Sequence, residues 1–157
     1  MKMIKKISWL VSILTFLSLG SCSWEDLPAY DQANIDNIYF YYRYNDPTAK
    51  DAITGEPMVR NVQLSVSSNI DADAGTVNVT VNATNQQANL PAEVYSAISL
   101  NNLVCAVQVS TAARVTKADN HRDLGLPDDW TSPHSFVLTA ANGTTKNWTI
   151  TVTALNK

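Results

Sequence analysis

The stretch TVNVTVNAT, residues 76–84, constrains the fold more than any other part of the chain. Val77, Val79 and Val81 alternate with Asn78, Thr80 and Asn82, so apolar and polar side chains change places at every residue. Only an extended chain, whose successive side chains point to opposite faces, gathers the three valines on one surface. Valine and threonine also favour the pleated backbone, because their branched side chains pack well on it. The segment therefore reads as a strand with one buried and one solvated face.

The same period recurs along the chain. In IDNIYFYYRY (35–44), Ile38, Phe40, Tyr42 and Tyr44 share one face, and Tyr39, Tyr41 and Arg43 the other. Residues 59–68 place Val62, Leu64 and Val66 inward, and 103–110 align Leu103, Cys105, Val107 and Val109. A short strand is expected at 95–100. SFVLTAA and NWTITVTAL flank Asn142-Gly143 as a closing hairpin, with Trp148, Ile150 and Val152 facing inward. The Asp, Pro and Gly of 45–57 mark a loop, and 111–133 reads as irregular, punctuated by Gly125, Pro127 and Pro133. Short, half-polar strands without a sustained helical period predict an all-β domain over 35–157. The expected form is an Ig-like antiparallel β-sandwich of about seven strands.

The amino terminus is a different object. Lys2, Lys5 and Lys6 precede an uncharged, mostly apolar run over 7–19, shorter than the roughly 20 residues a membrane span needs. Basic start, apolar run and small residues at the exit predict a signal peptide over 1–21. Leu19-Gly20-Ser21-Cys22 resembles the lipobox of bacterial lipoproteins, which implies cleavage before Cys22 and lipidation of its thiol. Several acyl chains make such an anchor firm, since each buried methylene contributes about 0.8 kcal/mol. Residues 22–34 are polar, contain Pro28 and read as a flexible tether.

Charge excludes one class of partner. The chain carries 11 basic and 14 acidic residues, and the leader removes three of the lysines. An acidic surface opposes nucleic-acid binding, which depends on neutralising phosphates. The membrane link is therefore expected to be the lipid alone. Cys105 is the one cysteine left when Cys22 is lipidated, and it reads as a small buried hydrophobe.

The closing segment SFVLTAANGTTKNWTITVTA (135–154) resembles the last hairpin of Ig-like domains in Bacteroidota surface lipoproteins, many from polysaccharide-utilisation loci of the Sus type. LPAYDQANIDNIYFYYRY and LGLPDDWTSPHSF are similar to other parts of one uncharacterised branch of these proteins. Glu25-Asp26, just after Cys22, resembles the acidic signal that sends such lipoproteins to the outer face of the outer membrane. The periplasmic face stays open as the alternative. The resemblance implies a cell-surface module in a glycan-uptake system, with a polysaccharide or an outer-membrane transporter as partner.

Candidate binding residues follow from ligand chemistry. Trp130, flanked by Asp128 and Asp129 and close to His134, has the make-up of a sugar platform: a flat ring for the apolar sugar face and acids for the hydroxyls. Tyr39 and Tyr41 offer a second platform. The competing reading makes Trp130 an end plug of the sandwich. His121 and His134 lack metal-ligand spacing, and Asp119, Asp123, Asp128 and Asp129 read as a solvated loop, so neither metal, cofactor nor catalytic residue is expected. Asp71-x-Asp73-x-Gly75 resembles half a calcium loop, but its distal Glu is missing and a tight turn explains it. The expected function is non-enzymatic glycan binding or docking, with a structural or adhesive protein-binding role as the alternative.

Overall fold

The computed structural model describes residues 30–157. The alternating segments are strands: β1 (Ile35–Lys50), β2 (Pro57–Asp71), β3 (Thr76–Asn82), β4 (Leu103–Val109), β5 (Arg114–Lys117), β6 (Pro127–Asp128), β7 (His134–Thr139) and β8 (Thr145–Asn156). The leader, Cys22 and the tether as far as residue 29 lie outside the described residues. The last tether residues are part of the fold rather than flexible. Ala33 is buried and its carbonyl accepts the Trp148 Nε1–H at 2.9 Å, while Asn34 N–H donates to Ser110 Oγ at 3.1 Å. Among the described residues no helix is long and apolar enough to cross a membrane.

The strands form one sheet in the order β5-β7-β8-β3-β2-β1-β4-β6. β2 holds its two halves together. Its residues up to Leu64 pair with β1, and from Ser65 onward they pair with β3. Phe40, Leu64, Leu103 and Cys105 from one half share a single buried cluster with Val77, Val79, Val81, Leu138, Trp148 and Ile150 from the other. The sheet therefore curls until its halves face each other across a common core, which the polar/apolar alternation of each strand requires.

Four further expectations are corrected. The described residues form eight strands, because the region read as irregular contributes β5 and β6. The sheet is not wholly antiparallel, since β3 and β8 run parallel with Val77 opposite Ile150. The strand expected at 95–100 is instead a short helix, α1 (Ala92–Ala97), and a 3-10 turn at Leu100–Asn102. Val94 and Ile98, one helical turn apart, reach the core, but six residues are too few to display a 3.6 period. The loop expected over 45–57 is shorter, because β1 and β2 stay paired to Lys50–Pro57 past a register shift.

Local details explain the rest of the pattern. A second irregularity between Ile35 and Asn37 lets Ile35 and Ile38 both be buried although they are three residues apart. Asp71 accepts the N–H groups of Asp73 and Ala74 through Oδ1, which makes its segment the tight turn the sequence suggested. Gly75 completes that turn at φ +67°, and its carbonyl accepts the Thr149 N–H at 2.8 Å. Cys105 is fully buried and free, and burial pushes its thiol pKa far up, so the thiolate that would react is suppressed.

Candidate functional site

β6 is one edge of the sheet and β7 lies next to the other, yet the segment 118–133, which runs from β5 to β7, carries β6 within it and brings both to one place. Asp128 from β6, His134 from β7 and His121 from the loop meet there, each with a ligand-type atom within 4.8 Å of the others. The chain's 2 histidines stack face to face, with ring centroids 3.5 Å apart and planes 12° apart. Trp130 stacks on His134 at 3.9 Å, and Phe40 meets Trp130 edge-on at 5.1 Å. An aromatic column thus runs from the loop surface into the core at the seam of the curled sheet.

Hydrogen bonds fix most of this column. His134 Nε2 lies 2.7 Å from the Asp129 carbonyl, a contact that only an N–H at that nitrogen makes favourable. That tautomer leaves Nδ1 as a bare lone pair, and Nδ1 is buried with no hydrogen-bond partner among the described residues. Nδ1 of His134 and Nδ1 of His121 each lie 3.9 Å from Asp128 Oδ2. His121 Nε2 faces Asp119 Oδ2 at 3.8 Å. Asp128 itself accepts Arg122 N–H on Oδ2 at 2.7 Å and Asp129 N–H on Oδ1 at 2.9 Å.

The electrostatics keep His134 neutral and two carboxylates charged. Burial lowers the His134 pKa most, the hydrogen bond to Asp129 opposes it, and the neighbouring His121 lowers it further. Burial is the largest single influence on Asp119 and would raise it. The N–H groups of Ser135 and His121 work against it, and the carboxyl lies below its ordinary range. Asp129 is held low by the Thr131 hydroxyl and N–H.

The sequence candidates divide accordingly. Asp128, Asp129, Trp130 and His134 do come together, but Trp130 is only 2 % exposed and donates its Nε1–H to the Leu103 carbonyl at 3.1 Å. With His134 on its face and Phe40 at its edge, the indole offers no open face to a sugar. The end-plug reading of Trp130 therefore replaces the platform reading. Tyr39 and Tyr41 lie on the face of β1 opposite Phe40 and so point away from this column. Tyr39 Oη is tied to Asn37 and Gln108.

Sequence reasoning passed over a second place. An open groove of about 590 Å³ lies between β1 and α1, lined by Tyr42, Arg43, Tyr44, Asn45, Glu93 and Asn102 among others. Tyr42 and Tyr44 are nearly parallel, 10° apart with centroids 6.2 Å apart. They carried an inward signal in the strand pattern. α1, the other wall of the groove, was not visible in the pattern at all.

The fold defines a mostly β domain, and one solved counterpart comes from Bacteroides. A Bacteroides fragilis protein inferred to be secreted shares 39% identity with the chain, over 83% of this chain and 100% of the other, at a TM-score of 0.69. The DUF5018-related family matches residues 35–151, and the chain belongs to that family. A Bacteroides thetaiotaomicron protein inferred to be a glycoside hydrolase aligns with 82% of this chain at 18% identity and a TM-score of 0.42, too distant to carry an argument. This chain spans only 26% of that protein. No curated protein matches the chain.

Proposed function

We propose that the protein is a non-enzymatic, cell-surface binding module, anchored through lipid on Cys22 and binding glycan in the groove between β1 and α1. The observation that carries the reading is the groove itself. Its volume is that of a small-ligand site, and it sets paired tyrosines among Arg43, Asn45, Glu93 and Asn102, which can donate to or accept from hydroxyls.

A glycan array probed with the lipid-free mature chain tests this. Binding that is lost in Tyr44→Ala and kept in Tyr39→Ala is the expected result, and silence across all polysaccharides would remove the glycan reading. A protein-docking role is the second reading, favoured by Ile53, Met58 and Val59, which are exposed around the β1–β2 hairpin tip. The anchor is tested separately: Cys22→Ser is expected to move the protein from the membrane fraction to the soluble one. Retention of that variant in the membrane would refute the anchor.

A further inference from the structure

We propose that His121, Asp128 and His134 bind a divalent transition-metal ion of the zinc class at the seam of the curled sheet. The donor set, two imidazole nitrogens and a carboxylate oxygen, is one that zinc takes, with the fourth position left to water. The second observation is the state of His134. Its ring is buried, its Nδ1 has no partner, and that atom faces Asp128 Oδ2 rather than an apolar wall.

The outer contact of His134 has the form that a metal-bound histidine requires, and His121 has a carboxylate on the matching side. A ligating imidazole usually presents its other nitrogen to a carbonyl or carboxylate, which fixes the tautomer and orients the ring. Here His134 Nε2 meets the Asp129 carbonyl at 2.7 Å, and His121 Nε2 faces Asp119 at 3.8 Å. Both Nδ1 atoms are thereby turned toward the same Asp128 oxygen, each 3.9 Å from it. In a tetrahedral site two donors about 2.1 Å from the ion lie about 3.4 Å apart, so each Nδ1–Oδ2 pair is within about 0.5 Å of the separation one ion sets. Oδ2 accepts one N–H from Arg122 and keeps a second lone pair.

One adjustment is needed. Lone pairs lie in the ring planes, so two rings stacked at 3.5 Å cannot both aim at a shared ion without tilting. His134 is fixed between Trp130 and the Asp129 carbonyl, whereas the His121 side chain is 28% exposed on a loop. Metal binding therefore splays His121 out of the stack. The ion would then clamp β6 at one edge of the sheet to β7 beside the other, and so stabilise the closure of the curl.

The test is calorimetric titration of zinc chloride into chelator-treated mature chain, with thermal unfolding run with and without zinc. One equivalent of binding and a rise in Tm reversed by EDTA are expected, and His121→Ala should weaken the affinity at least about tenfold. Asp128→Asn should weaken it similarly, but Asp128 also braces the loop. His121→Ala, whose side chain is partly exposed, is the deciding variant once circular dichroism shows it folded. Absence of zinc binding to the wild-type chain, or wild-type affinity in His121→Ala, overturns the proposal.

Discussion

Trp130→Ala separates a core residue from a ligand platform by stability alone. In the structure the indole is 2 % exposed, stacks on His134, meets Phe40 edge-on and donates to the Leu103 carbonyl. Truncating a buried tryptophan to alanine costs about 3–5 kcal/mol, from lost burial and from the cavity that remains. The Leu103 carbonyl loses its side-chain donor as well, a deficit of about 1 kcal/mol by itself. Against a total stability of roughly 5–15 kcal/mol, the loss is large enough to shift an unfolding midpoint plainly. The assay is urea unfolding of the lipid-free mature chain with EDTA present, so that no metal contributes, with slopes compared to confirm that m is unchanged. Trp130→Phe keeps an aromatic ring and removes the N–H, and so should fall between wild type and alanine. An alanine variant within about 0.5 kcal/mol of wild type, the range of ordinary surface changes, would refute the packing argument.

Two further outcomes follow from the turn before β3 and from one acidic side chain. In Gly75→Ala, the new Cβ would sit 2.3 Å from the Asn147 carbonyl oxygen at φ +67°, and that oxygen belongs to backbone with little freedom to retreat. A loss of at least about 2 kcal/mol in urea unfolding is expected, and an unchanged midpoint would contradict the geometry. Asp46 is held below its ordinary pKa by the Thr48 hydroxyl first, then by the Thr48 N–H and by Arg60, whose Nε lies 2.5 Å from Oδ2. A lowered folded-state pKa contributes stability above the unfolded value of about 3.9 and loses it as pH falls through the folded value. The gap in unfolding midpoint between wild type and Asp46→Asn should therefore close as the pH is taken below about 4, and a gap that stays constant with pH would rule out this carboxylate as the cause.

Much of the candidate site was readable as composition but not as arrangement. Asp128, Asp129, Trp130 and His134 stood out because they crowd one short segment, and the structure does bring them together. What failed was the assignment of the exposed face. An aromatic residue in a polar loop has no neighbouring period to say whether its ring points in or out. His121 and His134 had no metal-like spacing because the loop between them is bent back, so their stacking is a product of the fold. The groove was hidden for a similar reason: one wall is α1, whose six residues are too short to show a helical repeat.

The sequence by itself determined the long alternating strands and which of their faces is buried. Val77, Val79 and Val81, like Trp148 and Ile150, are buried where the alternation put them, because the pleat makes side-chain direction a property of each residue and its parity. Tertiary structure alone decided which strands meet. The transfer of β2 from β1 to β3 at Leu64–Ser65, the parallel pairing of β3 with β8, and the seam where Asp128 reaches His121 and His134 join residues far apart in the chain. Backbone hydrogen bonds are alike at every strand, so partner choice rests on how whole faces pack around one core. That is settled only when the chain has closed on itself.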